Sequence, residues 1–531
     1  MEDTRDHLLH SAAARQWERV GIRHHHGISI PLFSIHSQKS CGIGEFLDLI
    51  PLIFWCREVG FDVIQLLPLN DTGMDTSPYN GISACALNPI YLSISSLPDI
   101  SRVPNYEEKL AKMRHWNRSP RVKHHIVREL KLSFLFDYFS LVFSEIENKE
   151  SYQQFCQHHS WVRAYAVFRA LKEFELWKSW EDWPLSVKSP SDESFSNLAL
   201  AHQKKVQFYT FLQYLCYQQM REVRKAAEEA AVFLKGDIPI LMSRDSVDVW
   251  YYRRYFLMHL VAGAPPDCYA EKGQYWGFPP YDWEEIEKSG YEWWKQRLQA
   301  ASELYHLYRI DHVVGFFRLW VIPLGKEATT GCFIPAQESE WIPHGKKMME
   351  IMLTSSPLLP IGEDLGTVPP SIKAVLAQLG ICGTRVMRWE RRWDGDGGFI
   401  PVSAYLPTSM TTVSTHDSDT LQLWWSHSPK EARLYCEFKK WDYKPFLSLD
   451  RHHEILMESH RSASLFHINL LQEYLALFPS LVSPNPNDER INFPGKILDT
   501  NWTYRVRPSL EEIQAHIPLK EMMRGFSRNS N

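Results

Sequence analysis

Apolar runs of strand length recur along the chain, and three of them end in acidic residues. These ends carry Asp311, Glu363 and Asp417, so the intervals between successive acids are 52 and 54 residues. Each interval is long enough for whole strand–helix units, and the three acids fall on one rim only if the strands are parallel. The pattern predicts an α/β barrel with its chemistry at the carboxyl ends of the strands.

Other segments complete this organisation. Further apolar runs at 27–35, 61–69, 232–240 and 381–389 predict strands, and the amphipathic pattern at 204–231 predicts a long helix. The chain of 531 residues exceeds an ordinary single domain, but barrels with insertions reach this size.

The predicted domain organisation has four parts. Residues 1–26 form a polar, partly helical lead-in, and 27–531 form the barrel. Lys-, Glu- and Trp-rich helical periodicity at 101–202 predicts a helical insertion at the barrel mouth. Residues 262–283 combine four prolines and three glycines with the rings of Tyr269, Tyr275, Trp276, Phe278 and Tyr281. That composition is unlike a helix or a strand and favours an aromatic lid or binding loop.

Composition narrows the classes of ligand. A net charge of −5 and a pI near 6.5 give no reason to expect a nucleic-acid partner. No run has the length of a membrane span, so we expect no membrane association. The 20 Trp, 23 Tyr and 27 Phe favour a carbohydrate ligand, because sugars stack their C–H faces on rings, although most rings belong to the core.

Cysteine and histidine usage bears on compartment and metals. Nine cysteines without a CxxC pair indicate free thiols, and the charged N-terminus lacks a signal-peptide core, which together predict a cytoplasmic protein. The side chains of His24, His25 and His26 diverge, so we interpret them as a solvated run rather than a metal site. No HExxH or comparable ligand set accompanies the acidic residues, and we expect no metal.

Three carboxylates converging on one site suit glycosidic bond chemistry, with a nucleophile, an acid of raised pKa and a residue that stabilises positive charge. Arg309 and Asp311 face the same side of a strand, and the cation keeps the carboxylate ionised. Taken alone, this cluster is also compatible with a surface salt bridge. Ser77 and Tyr79 follow the second apolar run at the same mouth, where ligand contact and loop packing are equal alternatives.

The ordered strings GDIPI, YRIDH, GEDLG and STHD resemble the signature regions of the α-amylase clan, as they appear in the 4-α-glucanotransferases of glycoside hydrolase family 77. These enzymes are the amylomaltases or disproportionating enzymes. LPLNDTGMDTSPY, APPDCYAEKGQYWG and NDERINFPG are also similar to that family, and the likeness extends over about 27–505. The resemblance implies a (β/α)₈ TIM barrel with mostly helical insertions, and neither a metal nor an organic cofactor.

The same resemblance implies roles for individual residues. Asp311 is the expected nucleophile of a β-linked glucosyl-enzyme intermediate, Glu363 is the general acid and then the base, and Asp417 stabilises the transition state. The positions expected to bind substrate are Ser77, Tyr79, Asp267, Gln274, Trp276, Arg309, His416 and Asn492. Phe278 stands where the family has Asn in WGNP, and Cys268 stands where an aromatic residue is common; both departures affect the acceptor side.

The expected activity is retaining transfer of an α-1,4-glucan segment, from a malto-oligosaccharide or glycogen-type donor, to the 4-hydroxyl of glucose or another glucan. The expected partners are therefore α-1,4-glucans, malto-oligosaccharides and glucose. The stretch RIDHVVGFFRLWVIP resembles more closely the disproportionating enzymes that carry N-terminal starch-binding modules. This chain has no room for such modules before Gly27, so we do not expect strong binding to granular polymer. An α-glucan hydrolase and a catalytically silent glucan-binding protein remain the alternatives.

Overall fold

The computed structural model describes residues 2–266 and 271–528. Within these residues, eight parallel strands form a closed barrel. Each barrel strand pairs with the barrel strand that follows it in chain order, and the last pairs with the first. A second sheet is antiparallel. The strands are β1 (His25–Ile30), β2 (Val63–Leu66), β3 (Phe233–Ile238), β4 (Leu260–Ala264), β5 (Gln274–Tyr275), β6 (Leu307–Ile310), β7 (Leu319–Pro323), β8 (Cys332–Ile334), β9 (Leu359–Gly362), β10 (Gly383–Val386), β11 (Ser409–Thr412) and β12 (Phe466–Leu470).

The helices of the described residues surround the barrel or build the insertions. They are α1 (Glu2–Leu9), α2 (Ala14–Val20), α3 (Leu49–Glu58), α4 (Tyr106–His115), α5 (His124–Ile146), α6 (Glu150–His158), α7 (Trp161–Phe174), α8 (Leu185–Lys188), α9 (Asp192–Ala201), α10 (Gln203–Ala230), α11 (Val247–Tyr251), α12 (Trp283–Lys288), α13 (Glu292–Ser302), α14 (Glu338–Ser355), α15 (Pro370–Gln378), α16 (Leu421–His427), α17 (Pro429–Lys439), α18 (Leu449–His460), α19 (Leu471–Leu475), α20 (Leu510–Ala515) and α21 (Ile517–Arg528). None of them is long and apolar enough to cross a membrane.

The barrel strands are β1, β2, β3, β6, β9, β10, β11 and β12, and an Ile361–Cys382 bridge closes the sheet between β9 and β10. All their residues are buried except Phe233, which is partly buried. Strands covered on both faces need apolar residues almost throughout, which is why the sequence showed continuous runs rather than alternation. The predicted (β/α)₈ barrel is confirmed.

Strand register sets the level of the functional side chains. Asp237 on β3 pairs with Arg309 on β6, and Ile310 at the end of β6 pairs with Gly362 at the end of β9. The residue directly after β6 is Asp311, and the residue directly after β9 is Glu363. The two acids therefore lie at the same height, at the carboxyl rim of the barrel.

Two insertions shape this rim. Between β2 and β3 the chain forms α4 to α10, and α4 to α9 occupy most of the segment 101–202 that was expected to be helical. The segment 262–283 was expected to be unlike a helix or a strand, and this was wrong only for the end of β4, for β5 and for Trp283 at the start of α12; its other described residues form no helix or strand longer than a single bridge. The pairing partner of β4 is β7, which follows β6 in the chain. Because this partner is remote in sequence, the local composition around β4 does not reveal the strand.

The interpretation of residues 24–26 as a solvated run was also wrong. His25 and His26 are buried in β1, where His25 Nδ1 lies 2.9 Å from Asp62 Oδ2 and His26 Nδ1 lies 2.8 Å from His460 Nδ1. His24 Nδ1 is 3.0 Å from His467 Nε2. Each of the three imidazoles therefore has a side-chain hydrogen-bonding partner at the amino-terminal end of the barrel. In the described parts of the chain, no three His, Cys, Asp or Glu side chains are arranged to hold a metal.

Candidate active site

The Arg309 guanidinium is the centre of the carboxylate cluster at the barrel mouth. Its Nη1 lies 2.9 Å from Asp237 Oδ2 and 2.8 Å from Asp311 Oδ1, and its Nη2 lies 3.8 Å from Glu363 Oε2. Three carboxylates from three neighbouring strands thus surround one cation that is itself almost fully buried. This geometry excludes the alternative of a surface salt bridge.

The turn after β6 connects Asp311 to Glu363. His312 has a left-handed backbone with φ of 45°, and its N–H donates to Glu363 Oε2 at 2.8 Å. The Val313 N–H donates to the Glu363 carbonyl at 3.2 Å. A non-glycine residue in this conformation is strained, and two bonds to the next acidic strand end hold it there. The turn therefore fixes the two carboxylates relative to one another.

Glu363 is placed to carry a proton at neutral pH. Its side chain is only 17% exposed, and burial raises its pKa from about 4.5 to about 8, with the negative charge of Asp311 adding to the increase. Arg309 and the His312 N–H oppose this shift. A carboxylic acid that is protonated at pH 7 beside ionised neighbours is suited to donate a proton.

Asp417 is held in the opposite state. Burial alone would raise its pKa, but the charge of His416 and the hydrogen bonds from His416 and Asn492 lower it to about 2. His416 Nε2 lies 3.2 Å from Asp417 Oδ2, and Asn492 Nδ2 donates to Asp417 Oδ1 at 2.7 Å. The Asp417 side chain is 44% exposed and reaches into the open mouth. It therefore supplies a fixed negative charge where a ligand would enter.

Tyr79 links the two sides of the mouth. Its hydroxyl donates to Asp237 Oδ2 at 2.7 Å, and its ring stacks on His416 with centroids 5.3 Å apart and planes 16° apart. Burial, followed by the charge of Asp237, raises the pKa of Tyr79 well above its usual value. The phenol therefore stays protonated and remains a donor, while Trp502 packs 5.7 Å from its ring.

A cavity of about 270 Å³ opens between these groups. It extends from the mouth into the top of the barrel, and its walls include Gln65, Arg309, Glu363, Trp389, His416 and Asp417. Side chains from five barrel strands or the loops after them thus face one space. The arrangement can hold a small polar ligand between a neutral acid, an ionised carboxylate and a guanidinium.

Three further residues expected to bind ligand do not line this cavity: Ser77, Gln274 and Trp276. The Trp276 ring lies edge to face with His312, with centroids 5.0 Å apart, and its Nε1 donates to Gln274 Oε1 at 3.0 Å. Ser77 lies two residues from Tyr79, in a turn where its N–H donates to Asp75 Oδ1. Asp267 and Cys268 lie outside the described residues.

Several residues of this network were not expected from the sequence to belong to the site. Asp237 contacts Arg309, and Trp389 lines the cavity. Trp502 contacts the ring of Tyr79. Asp237 lies inside the GDIPI string, two positions after Lys235 on the same strand face, so its motif was a usable signal. Trp389 and Trp502 lie in loops, where sequence pattern does not distinguish a packing ring from a ring that faces ligand.

Comparisons with known proteins agree with this geometry. A family model described as 4-alpha-glucanotransferase matches residues 30–511. The chain belongs to the 4-alpha-glucanotransferase family. It is 48% identical over 509 residues to a 4-alpha-glucanotransferase of Chlamydia pneumoniae, with 96% of each chain covered, and 43% identical over 525 residues to that of Chlamydia trachomatis, with 98% and 99% covered.

The fold of this family member is also similar to solved structures. An amylomaltase from Streptococcus agalactiae in complex with acarbose superposes with a TM-score of 0.80 at 24% identity, covering 96% of this chain and 99% of that one. An amylomaltase from Corynebacterium glutamicum gives a TM-score of 0.78 at 22% identity, covering 97% and 76%. Both comparisons support the barrel architecture of the 4-alpha-glucanotransferase described here.

Proposed function

We propose that this 4-alpha-glucanotransferase transfers α-1,4-glucan segments by a retaining double displacement in which Asp311 is the nucleophile. One observation supports this most directly: Asp311 and Glu363 share the Arg309 guanidinium, yet the pKa of Glu363 is raised to about 8. This arrangement supports attack by Asp311 and proton donation by Glu363. These are the two roles that retention requires.

In the first step, an Asp311 oxygen attacks the anomeric carbon of the donor and the bond to the leaving O4 breaks. Glu363 gives its proton to that oxygen, so the departing fragment leaves with a free 4-hydroxyl. Asp417 stays ionised and stabilises the positive charge that develops on the sugar ring, or orients a ring hydroxyl. Arg309 Nη1 holds the Asp311 carboxylate at 2.8 Å beforehand.

In the second step, Glu363 is a carboxylate and removes the proton of an incoming 4-hydroxyl. That oxygen attacks the anomeric carbon and displaces Asp311, which restores both residues to their starting states. Two inversions give net retention, and the atoms balance without water or an external reagent. The neutral and ionised forms of Glu363 alternate between the steps, which a pKa of about 8 permits.

Transfer rather than hydrolysis requires that water be kept from the intermediate. Trp276 packs against His312, the residue after Asp311, and it follows β5 of the antiparallel sheet at the mouth. We assign this ring and its sheet a role in covering the covalent intermediate until an acceptor arrives. Gln274, Ser77 and Asp267 are the further positions that we propose bind the glucan.

We further propose malto-oligosaccharides and glycogen-type glucans as donors, and glucose or a second glucan as acceptor. The Streptococcus agalactiae protein was solved with acarbose. We expect the same pseudo-oligosaccharide to occupy the mouth here and to inhibit transfer. The eight cysteines of the described residues carry free thiols, which supports a cytoplasmic enzyme.

The experiment that tests this function is a product ladder from maltotriose with radiolabelled glucose added as acceptor. Transfer gives glucose together with oligomers longer than the substrate, and label enters these oligomers. Only maltose and glucose in hydrolytic proportion, with no incorporated label, would establish a hydrolase instead. Binding of maltotriose without any product would establish a silent binding protein.

A further inference from the structure

The connection from β10 to β11 differs from the other barrel connections. Residues 387–408 form no α-helix, and within this span the chain makes a hairpin held by a bridge between Arg391 and Phe399. The hairpin begins at Trp389, which lines the catalytic cavity. It therefore leads from the active site onto the outer side of the barrel.

Aromatic rings follow this hairpin in consecutive contacts. Trp393 Nε1 donates to the Trp389 carbonyl at 3.1 Å, and the Trp393 side chain is 57% exposed. The Arg391 guanidinium carbon lies 4.6 Å from the centre of the Trp393 ring and 5.1 Å from that of Phe399. Phe399 in turn lies 5.6 Å from Phe438 of α17, measured between ring centroids. The rings thus connect the cavity to α17.

At the far end of this line lies a second cavity of about 370 Å³, between the hairpin, α17 and α18. This volume is within the range of roughly 300–1,000 Å³ that is usual for small-molecule sites. Its walls combine the rings of Phe399, Tyr405 and Phe438 with the ion pair of Lys439 and Glu458. Phe438 keeps 39% of its surface exposed, so the barrel core does not require it to be covered.

The chemistry of this wall favours a ligand with many hydroxyl groups. The open face of Phe438 can bind the C–H face of a sugar, and Lys439, Glu458 and the neighbouring Lys440 can donate to or accept from hydroxyls. A purely apolar partner would leave the ion pair buried and unsolvated, which is costly. Continuity with the catalytic cavity through Trp389 and Trp393 selects the substrate polymer as the occupant.

We propose that the hairpin 389–400 and the cavity beside α17 form a remote binding tract for long α-1,4-glucans. The inference rests on the proposed function and deepens it, because it assigns the enzyme a preference for polymeric over short donors. The tract anchors a glucan outside the catalytic cavity. Short substrates such as maltotriose do not extend to the remote cavity.

The test compares KM for glycogen and for maltotriose in the full-length enzyme carrying Phe438→Ala or Trp393→Ala. Each substitution is expected to raise the ratio of the glycogen KM to the maltotriose KM roughly fivefold, the effect of losing one ring contact. Phe174→Ala removes a ring that is 66% exposed from the end of α7, in the insertion between β2 and β3, and is the control, with no expected change of the ratio. Thermal midpoints report whether each variant is folded, and Trp393→Ala decides the outcome if Phe438→Ala is not.

A direct binding measurement separates this inference from the proposed function. Glycogen in a native gel should retard Asp311→Asn, and adding Phe438→Ala or Trp393→Ala should reduce this retardation roughly fivefold. KM ratios and retardation within twofold of the parent in both ring variants would overturn the tract, whereas maltotriose disproportionation by the wild-type enzyme would still support the function. Failure of the wild-type enzyme to disproportionate maltotriose would overturn the function, while the gel would still report on the tract.

Discussion

Replacing Glu363 by Gln should inactivate the enzyme and stabilise it at the same time. The glutamine keeps the shape of the acid and accepts the bond from the His312 N–H, but it cannot ionise in the buried site. The raised pKa means that the folded state binds the Glu363 proton more tightly than the unfolded chain does. The stability that this proton contributes is complete below about pH 4.5 and is lost as pH rises through about 8.

The magnitude follows from the shift. Raising the pKa from 4.5 to about 8 corresponds to a cost of ionisation on the order of 5 kcal/mol. Relaxation of the site and the coupling to Asp311 reduce what is measured, so we expect about 2–3 kcal/mol at pH 8.5 and close to zero at pH 4.5. For a chain of this size, that difference raises the thermal midpoint by a few degrees at most, roughly 2–4 °C.

The assay is differential scanning calorimetry of wild type and Glu363→Gln at several pH values between 4.5 and 8.5. Glu222→Gln, on the exposed side of α10, is the matched control, because it makes the same chemical change without burial. The advantage of Glu363→Gln should grow with pH while that of the control stays flat. An advantage that is independent of pH would refute the assignment of a buried, protonated Glu363.

The same variant has a kinetic signature. Loss of general acid catalysis should lower kcat on maltotriose by roughly 10²–10⁴. An α-glucosyl fluoride donor has a leaving group that needs no protonation, so formation of the glucosyl-enzyme should be largely retained. Equal loss with both donors would mean that Glu363 does not act as the acid.

Three further outcomes are expected. Asp311→Asn should lower kcat by several orders of magnitude, roughly 10⁴ or more, in single-turnover assays. Its thermal midpoint should be retained. Asn492→Ala removes a bond that helps keep the Asp417 pKa near 2, so the acidic limb of the kcat profile should move to higher pH, and an unchanged limb would contradict the role of Asn492. Burial lowers the pKa of His26 to about 4, so stability that is present above pH 6.5 is lost as pH falls toward 4, and His26→Asn should reduce this acid sensitivity in calorimetry by up to about 3 kcal/mol.

Local pattern was sufficient to predict the strands that carry the acids. Runs such as the one that ends in Glu363 are apolar on both faces, because helices cover the outside of the barrel and side chains fill the inside. The strands are shorter than the runs that predicted them. The run at 27–35, for example, corresponds to β1, His25–Ile30, which also begins two residues earlier. The order of the acids along the chain then placed them on one rim.

Features that depend on partners remote in the sequence could not be predicted from local pattern. The strand β12 was not among the predicted strands, and it contains the polar residues His467 and Asn469. In the fold, the Asn469 amide accepts from the Val413 N–H and donates to Ser459 Oγ, and His467 Nδ1 lies 2.8 Å from the Ser459 carbonyl. The histidines of β1 were misread for the same reason.

In the site, too, some residues were predictable from local pattern and others depend on the fold. The acids and Arg309 were predicted from residue type and spacing, since a strand places residues i and i+2 on one face. The part played by Asp237 depends on register, which sets it beside Arg309 across two strands. The position of Trp389 depends on the hairpin that replaces a barrel helix, and nothing in its neighbours along the chain reveals that geometry.

The central claim is that Asp311 forms a covalent bond to the glucosyl unit. Incubating the enzyme with a 5-fluoro-α-glucosyl fluoride, which slows the second step, and then digesting and sequencing the labelled peptide by mass spectrometry tests it most directly. We predict one added fluoroglucosyl group, located on Asp311 and absent in Asp311→Asn. A label on a different carboxylate, or turnover of the fluoride by Asp311→Asn at the wild-type rate, would contradict the account.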